Sequence, residues 1–154
     1  MKVPHDSFVD SRDFARIAKA IRFIDSHGAT QPYALLTQSA DQADPLILLG
    51  LRVSAVGGYN TTDPAMSGPG LATLVAEHRA RYFMIAGPYA SRGGNGASTA
   101  ARLVCPEIPG IIWADGTYGG GSYLLDCAGK SAQLRHPYRS ARAFKRRYHV
   151  HYAL

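Results

Sequence analysis

The apolar residues recur in helical and strand-like rhythms that alternate along the chain. From Ser11 to Ser26, Phe14, Ile17, Ala18, Ile21 and Ile24 recur at helical steps, while Arg12, Arg16, Lys19 and Arg22 fall mostly on other faces. One apolar stripe with a solvated remainder predicts a helix, which Asp10 or Ser11 can cap and His27-Gly28 can end. Tyr33-Ala-Leu-Leu-Thr37 is a short apolar run of buried-strand length, and Arg52-Val-Ser-Ala-Val56 is a second. Between them Ser39–Leu49 reads as a helix closed by Gly50, with Pro45 expected to confine its regular part to the last turns. Two strands joined through such a helix run parallel.

The alternation continues past a glycine-opened turn at Gly57–Pro64. A helix over Gly70–His78 turns Leu71, Leu74 and Val75 inward, Arg81–Ile85 is a third strand, and a polar, glycine-rich loop runs from Gly87 to Gly96. Ser98–Val104 is a short helix that stops before Pro106. Gly110-Ile-Ile-Trp113 and Ser122-Tyr-Leu-Leu-Asp126 read as two closing strands around Gly119-Gly120-Gly121, the pattern of a hairpin. The expected fold is α/β: a small three-layer sandwich with a parallel βαβαβ core and a C-terminal antiparallel edge hairpin.

Composition narrows this further. With 154 residues there is room for one ordinary domain, and 46% apolar against 18% charged residues excludes a chain too polar to fold. No stretch approaches the roughly 18 consecutive apolar residues of a membrane span, and Met1-Lys2-Val3-Pro4-His5-Asp6 shows no signal core. The net charge of +6 is unevenly placed. Lys130, Arg135, Arg139, Arg142, Lys145, Arg146 and Arg147 all follow the last acid, Asp126, so residues 1–129 carry ten basic residues against all 11 acids. The expected division is a single near-neutral domain over residues 1–129 and a basic tail over residues 130–154. Such a run is suited to an anionic membrane surface or a polyphosphate, or is simply a solvated tail. Nucleic acid is disfavoured, because the body offers no second basic face.

Ligands of open parallel sheets bind at the carboxyl ends of the strands. That rule selects Thr37-Gln38-Ser39, Gly57–Asp63 and Gly87–Gly96. Gly57 and Gly58 permit close backbone approach or positive φ. Tyr59 offers a ring to stack on a sugar or base, Asn60 and Asp63 offer hydrogen-bonding groups, and the loop opened by Arg92 can wrap an anion, with Gln38 and Tyr89 completing the candidate ligand-binding set. The competing reading is a tight turn with Asp63 capping it before Pro64, and a merely loose Arg92-Gly-Gly-Asn-Gly96. No nucleotide fingerprint, serine elbow or zinc spacing is present, so no catalytic residue, cofactor or metal is assigned. His149 and His151 share a face only if extended, and nothing brings Asp63 to Asp115. Cys105 and Cys127 can close a loop of about 20 residues, stabilising by about 3 kcal/mol, or remain two buried thiols.

From Ala34 to Asp126 the chain resembles the C-terminal soluble domain of bacterial membrane glycosyltransferases, the mannosyltransferase YkcA/YkcB type related to the protein-mannosyltransferase and ArnT-like group. The resemblance is carried by Thr37-Gln38-Ser39-Ala40, Pro45-Leu-Ile-Leu-Leu-Gly50, Val56-Gly57-Gly58-Tyr59 followed by Asp63-Pro64, Arg81-Tyr82-Phe83 and Tyr123-Leu-Leu-Asp126. Thr61-Thr62 stand where the family commonly carries a small residue, often glycine. The resemblance implies a fragment whose parent has transmembrane helices ahead of Met1 and takes sugar from a polyprenyl-phosphate donor on the extracytoplasmic face. The catalytic acids would lie in the membrane-embedded part. This domain would bind glycan, acceptor or lipid-linked sugar beside that part, and the setting favours a Cys105–Cys127 disulfide. Two rival readings are a stand-alone nucleotide- or sugar-phosphate-binding protein, favoured by free thiols, and a nucleic-acid module driven by the tail.

Overall fold

The computed structural model describes residues 11–27, 30–48, 50–58, 65–85, 96–114 and 123–139. The order is α1 (Ser11–Ser26), β1 (Leu35–Thr37), α2 (Ala40–Leu48), β2 (Val53–Ala55), α3 (Gly68–Ala76), β3 (Tyr82–Ile85), α4 (Gly96–Val104), β4 (Glu107–Ile108), α5 (Gly110–Trp113), β5 (Tyr123–Asp126) and α6 (Ser131–Arg135). The strands form one sheet in the order β2-β1-β3-β5-β4. β1 pairs in parallel with β2 and with β3, and β5 runs antiparallel to both β3 and β4. The mixed, mostly parallel α/β architecture is the expected one.

Period-two alternation along the strands builds two cores, one on each face of the sheet. Leu35, Tyr82, Met84 and Leu124 face Ala20, Ile21 and Ile24 of α1, Ala43 and Leu46 of α2, and Trp113 of α5. Their neighbours Leu36, Phe83, Ile85 and Leu125 face Leu71, Ala72 and Val75 of α3, Ala97, Ala100 and Ala101 of α4, and Leu134 of α6. Packing therefore continues past residue 129: Leu134 is fully buried, and its carbonyl lies 3.0 Å from where a Cβ on Gly68 would sit. Only glycine lets the first turn of α3 approach α6 so closely.

One expected strand is corrected. Gly110-Ile-Ile-Trp113 is helix α5, and the strand beside β5 is Glu107–Ile108, so the antiparallel edge is present with a different first member. Pro109 explains the shift. It has no N–H to continue a ladder, and its carbonyl instead accepts from the Ile112 amide at 2.9 Å while the Gly110 carbonyl accepts from Ala114 at 2.8 Å. Ile111 and Ile112 are correspondingly exposed rather than alternating in and out. Pro45 does not confine α2, which is helical on both sides of it.

Helix ends follow backbone chemistry. Ser67 caps α3, its Oγ accepting from the Gly70 amide at 3.1 Å. α2 ends with the Gly50 amide donating to the Ile47 carbonyl and Leu51 to Leu46, and α3 ends with His78 donating to Val75 and Arg79 to Leu74. Both are Schellman closures whose pivot is left-handed: Gly50 at φ +79° and His78 at φ +54°. The second places a side-chain-bearing residue where glycine is the cheaper choice.

Arg81 and Asp126 fasten β3 to β5 through a bidentate pair, Nε to Oδ1 at 2.9 Å and Nη2 to Oδ2 at 2.8 Å. Asp126 Oδ1 also accepts from the Ala128 amide at 3.0 Å, and the Arg81 guanidinium lies 4.7 Å from the centre of the Tyr82 ring. Burial by itself raises the Asp126 carboxyl, but the Arg81 bonds, the Ala128 amide and the guanidinium charge together hold it below its ordinary value. A depressed folded-state value means that this stabilisation is full above the unfolded carboxylate range and is lost as pH falls through the folded value. Asp126→Asn is expected to cost about 1 kcal/mol at neutral pH, a figure kept small by partial exposure. In thermal melts the gap to wild type should close below about pH 4. A gap that persists at pH 2 rules out the ion pair as its source.

Candidate functional site at the strand ends

The carboxyl ends of β1 and β2 are joined by backbone bonds. The Thr37 carbonyl accepts from the Val56 amide and the Gly58 carbonyl from the Ala40 amide, each at 2.9 Å. Thr37 Oγ1 donates to the Ser39 carbonyl at 3.1 Å, which turns the chain out of β1 and into α2. Two of the three segments selected from the sequence, Thr37-Gln38-Ser39 and Gly57-Gly58, therefore meet at one end of the sheet. β3 reaches the same end, because Thr37 is in register with Met84. Tyr59, Asn60, Asp63, Tyr89 and Arg92 lie outside the described residues.

Gln38 is placed differently from the surface position expected of a ligand-binding residue. It is 0% exposed, and among the described residues neither Nε2 nor Oε1 of its amide has a hydrogen-bond partner. An unpaired buried amide costs about 1–3 kcal/mol, so this group is held at the strand ends with its bonding capacity unused. Gln42, within α2, is also buried, at 5% exposure. Its burial carries no helical-spacing signal relative to Gln38, which lies before α2 begins. Gly57 is buried and Gly58 half-buried. Positive φ occurs in the described chain at Gly50, His78 and Gly129, not at Gly57 or Gly58. The pair serves close approach instead, shown by the bond from Ala40 to Gly58.

On the far face of the sheet, Cys105 at the end of α4 is bonded to Cys127 just after β5, with their Cα atoms 4.7 Å apart. The linkage encloses β4, α5 and β5. Among the described residues no three histidine, cysteine, aspartate or glutamate side chains converge as a metal site, and no helix is long and apolar enough to cross a membrane.

Residues 20–104 match the family model described as "Putative mannosyltransferase YkcB-like, C-terminal". The chain belongs to that family. It is 32% identical over 78 residues to the "Putative mannosyltransferase YkcB" of Bacillus subtilis (strain 168), covering 50% of this chain. The matched stretch spans 11% of that relative's length. No solved structure matches. The family match runs from the second half of α1 to the end of α4, and so contains both strand ends that meet at Gln38 and Gly58.

Proposed function

We propose that this YkcB-like C-terminal domain is the extracytoplasmic accessory domain of a polyprenyl-phosphate-sugar-dependent membrane glycosyltransferase. It binds glycan, acceptor or lipid-linked sugar beside the membrane-embedded part, which carries the catalytic acids; the domain does not transfer sugar alone. The observation that carries the reading is the unpartnered amide of Gln38, buried where Thr37-Gln38-Ser39 meets Gly57-Gly58. A carboxamide whose donor and acceptor have no partner among the described residues suits the hydroxyls of a sugar, which are themselves donors and acceptors. Tyr59 and Tyr89 supply ring faces, Asn60 and Asp63 further hydroxyl partners, and Arg92 a phosphate contact. The Cys105–Cys127 bond supports an oxidising compartment and removes the free thiols that would favour a cytosolic nucleotide-binding protein. The basic residues beyond the body, Arg139 to Arg147, suit the anionic membrane surface.

The oxidised domain is titrated with mannobiose and with a short-chain polyprenyl phosphomannose, followed by amide chemical shifts. Saturable shifts are expected at Gln38 and Gly58, and the double substitution Tyr59→Ala/Asp63→Ala should abolish them while leaving the melting temperature unchanged. Equal binding by the double variant removes the strand-end site.

A further inference from the structure

The two faces of the sheet are covered by helices of different charge. α1 carries Asp13 and Asp25 among its cations, and α2 carries Asp41 and Asp44. α3, α4 and α6 pack together over the opposite face and contain no aspartate or glutamate. Their only charges are Arg102, in the last turn of α4, and Arg135, in the last turn of α6. Both arginines are exposed. The ion pairs among the described residues join Arg52, Arg79 and Arg81 to acids and include neither of them. The acids closest to this layer along the chain are engaged or peripheral: Glu77 lies 3.7 Å from Arg79, Asp126 is held by Arg81, and Glu107 belongs to β4 at the edge of the sheet. Lys130 before α6 and Arg139 after it extend the same sign, and the chain continues to residue 154 with Arg142, Lys145, Arg146 and Arg147 and no acid. Leu134 fastens α6 to this layer, so Arg135 belongs to the folded body. Apolar and aromatic groups are interleaved with the cations: Leu103, next to Arg102, is 41% exposed, and Tyr138, next to Arg139, is 65% exposed. Cations beside exposed leucine and tyrosine suit the headgroup layer of an anionic bilayer, where bases meet lipid phosphates and amphipathic rings sit at the interface. Single-stranded nucleic acid is held by successive ring faces, and α3, α4 and α6 contain none.

We infer that the α4–α6 side of the domain is a docking surface for an anionic lipid bilayer, with Arg102, Lys130, Arg135 and Arg139 against lipid phosphates and Leu103 and Tyr138 set into the headgroup layer. The inference rests on the proposal that the domain works beside a membrane, and not on the glycan reading of the strand ends. It assigns the membrane contact to the folded body as well as to the basic run beyond Arg139.

The full oxidised chain is mixed with phosphatidylcholine vesicles and with vesicles containing roughly one-third phosphatidylglycerol, a composition whose surface attracts basic residues, and binding is followed by co-sedimentation. Saturable binding is expected to the charged vesicles and none to phosphatidylcholine. Arg102→Gln/Arg135→Gln should weaken it about thirtyfold, the loss of two cations near an anionic surface, at an unchanged melting temperature. In small bicelles of the same charged composition, a lipid with a headgroup nitroxide should broaden the wild-type amide resonances of Arg102, Leu103, Arg135 and Tyr138. It should spare those of Asp44 and Ile47 on α2, across the sheet. Broadening centred on α2 overturns the inference. So does an affinity that survives Arg102→Gln/Arg135→Gln and disappears when Lys145, Arg146 and Arg147 are changed to glutamine, which assigns the contact to the terminal run alone. Binding to a single-stranded oligonucleotide with the charged vesicles ignored overturns it in favour of nucleic acid. Absence of vesicle binding while mannobiose still shifts Gln38 and Gly58 overturns this surface and leaves the glycan reading standing.

Discussion

Truncating Leu134 to alanine should destabilise the domain by about 3 kcal/mol, the usual cost of a large-to-small change at a closed site, although the residue sits in the segment that charge alone reads as a tail. Leu134 is 0% exposed and belongs to the core formed by Leu71, Ala72 and Val75 of α3 and Ala100 and Ala101 of α4. The neighbouring backbone is close, the Leu134 carbonyl lying 3.0 Å from where a Cβ on Gly68 would sit. The penalty should therefore fall in the middle of the range rather than at its lower end. Urea melts of the two proteins measure it as a lower midpoint at unchanged slope. A change below about 0.5 kcal/mol, the level of an ordinary surface substitution, means that α6 is undocked in solution and that the folded unit stops at residue 129.

Removing the Cys105–Cys127 linkage has a comparable effect by a different route. Their sequence separation of 22 closes a loop whose release returns entropy to the unfolded chain worth about 3 kcal/mol. Spread over a chain of this length, that lowers the melting temperature by about 6–12 °C. The double change Cys105→Ala/Cys127→Ala fits the site, because both side chains are buried against small and aliphatic neighbours. Calorimetry of the oxidised, reduced and double-alanine proteins tests it. The reduced and alanine forms should melt together, well below the oxidised form. Coincidence of all three shows that the sulfurs are not bonded in the isolated domain and withdraws the support they lend to an extracytoplasmic location.

The parts of this fold legible in the sequence are those governed by local rules. Gly50 announced the end of α2 because a Schellman closure needs a left-handed residue and glycine is the ordinary choice. The pairs Leu35-Leu36 and Tyr82-Phe83 marked strands buried on both faces, where continuous apolar runs replace alternation. The segment Gly110-Ile-Ile-Trp113 misled for the same reason: a short apolar run does not by itself distinguish a strand from a helical turn, and the deciding group was the missing N–H of Pro109. Leu134 gave no periodic signal, having only Ala132 as an apolar neighbour among Ser131, Gln133 and Arg135. At the strand ends the segment Thr37-Gln38-Ser39 and the pair Gly57-Gly58 could be selected by topology alone. That Gln38 turns inward, with its amide unpaired among the described residues, could not, since burial of a polar side chain is decided by the tertiary neighbours and not by its own spacing.

Gln38→Met isolates the role of that amide by keeping the length of the side chain while deleting its donors and acceptor. Removing a buried group that has no partner is neutral or stabilising by up to about 1 kcal/mol, whereas removing a ligand contact eliminates binding. Thermal melts and mannobiose titrations on the same variant therefore give the most direct test. A melting temperature equal to or above wild type, together with lost mannobiose binding, is the expected result. A lowered melting temperature with mannobiose binding intact would show that Gln38 holds the fold together and that the strand ends are not the recognition site.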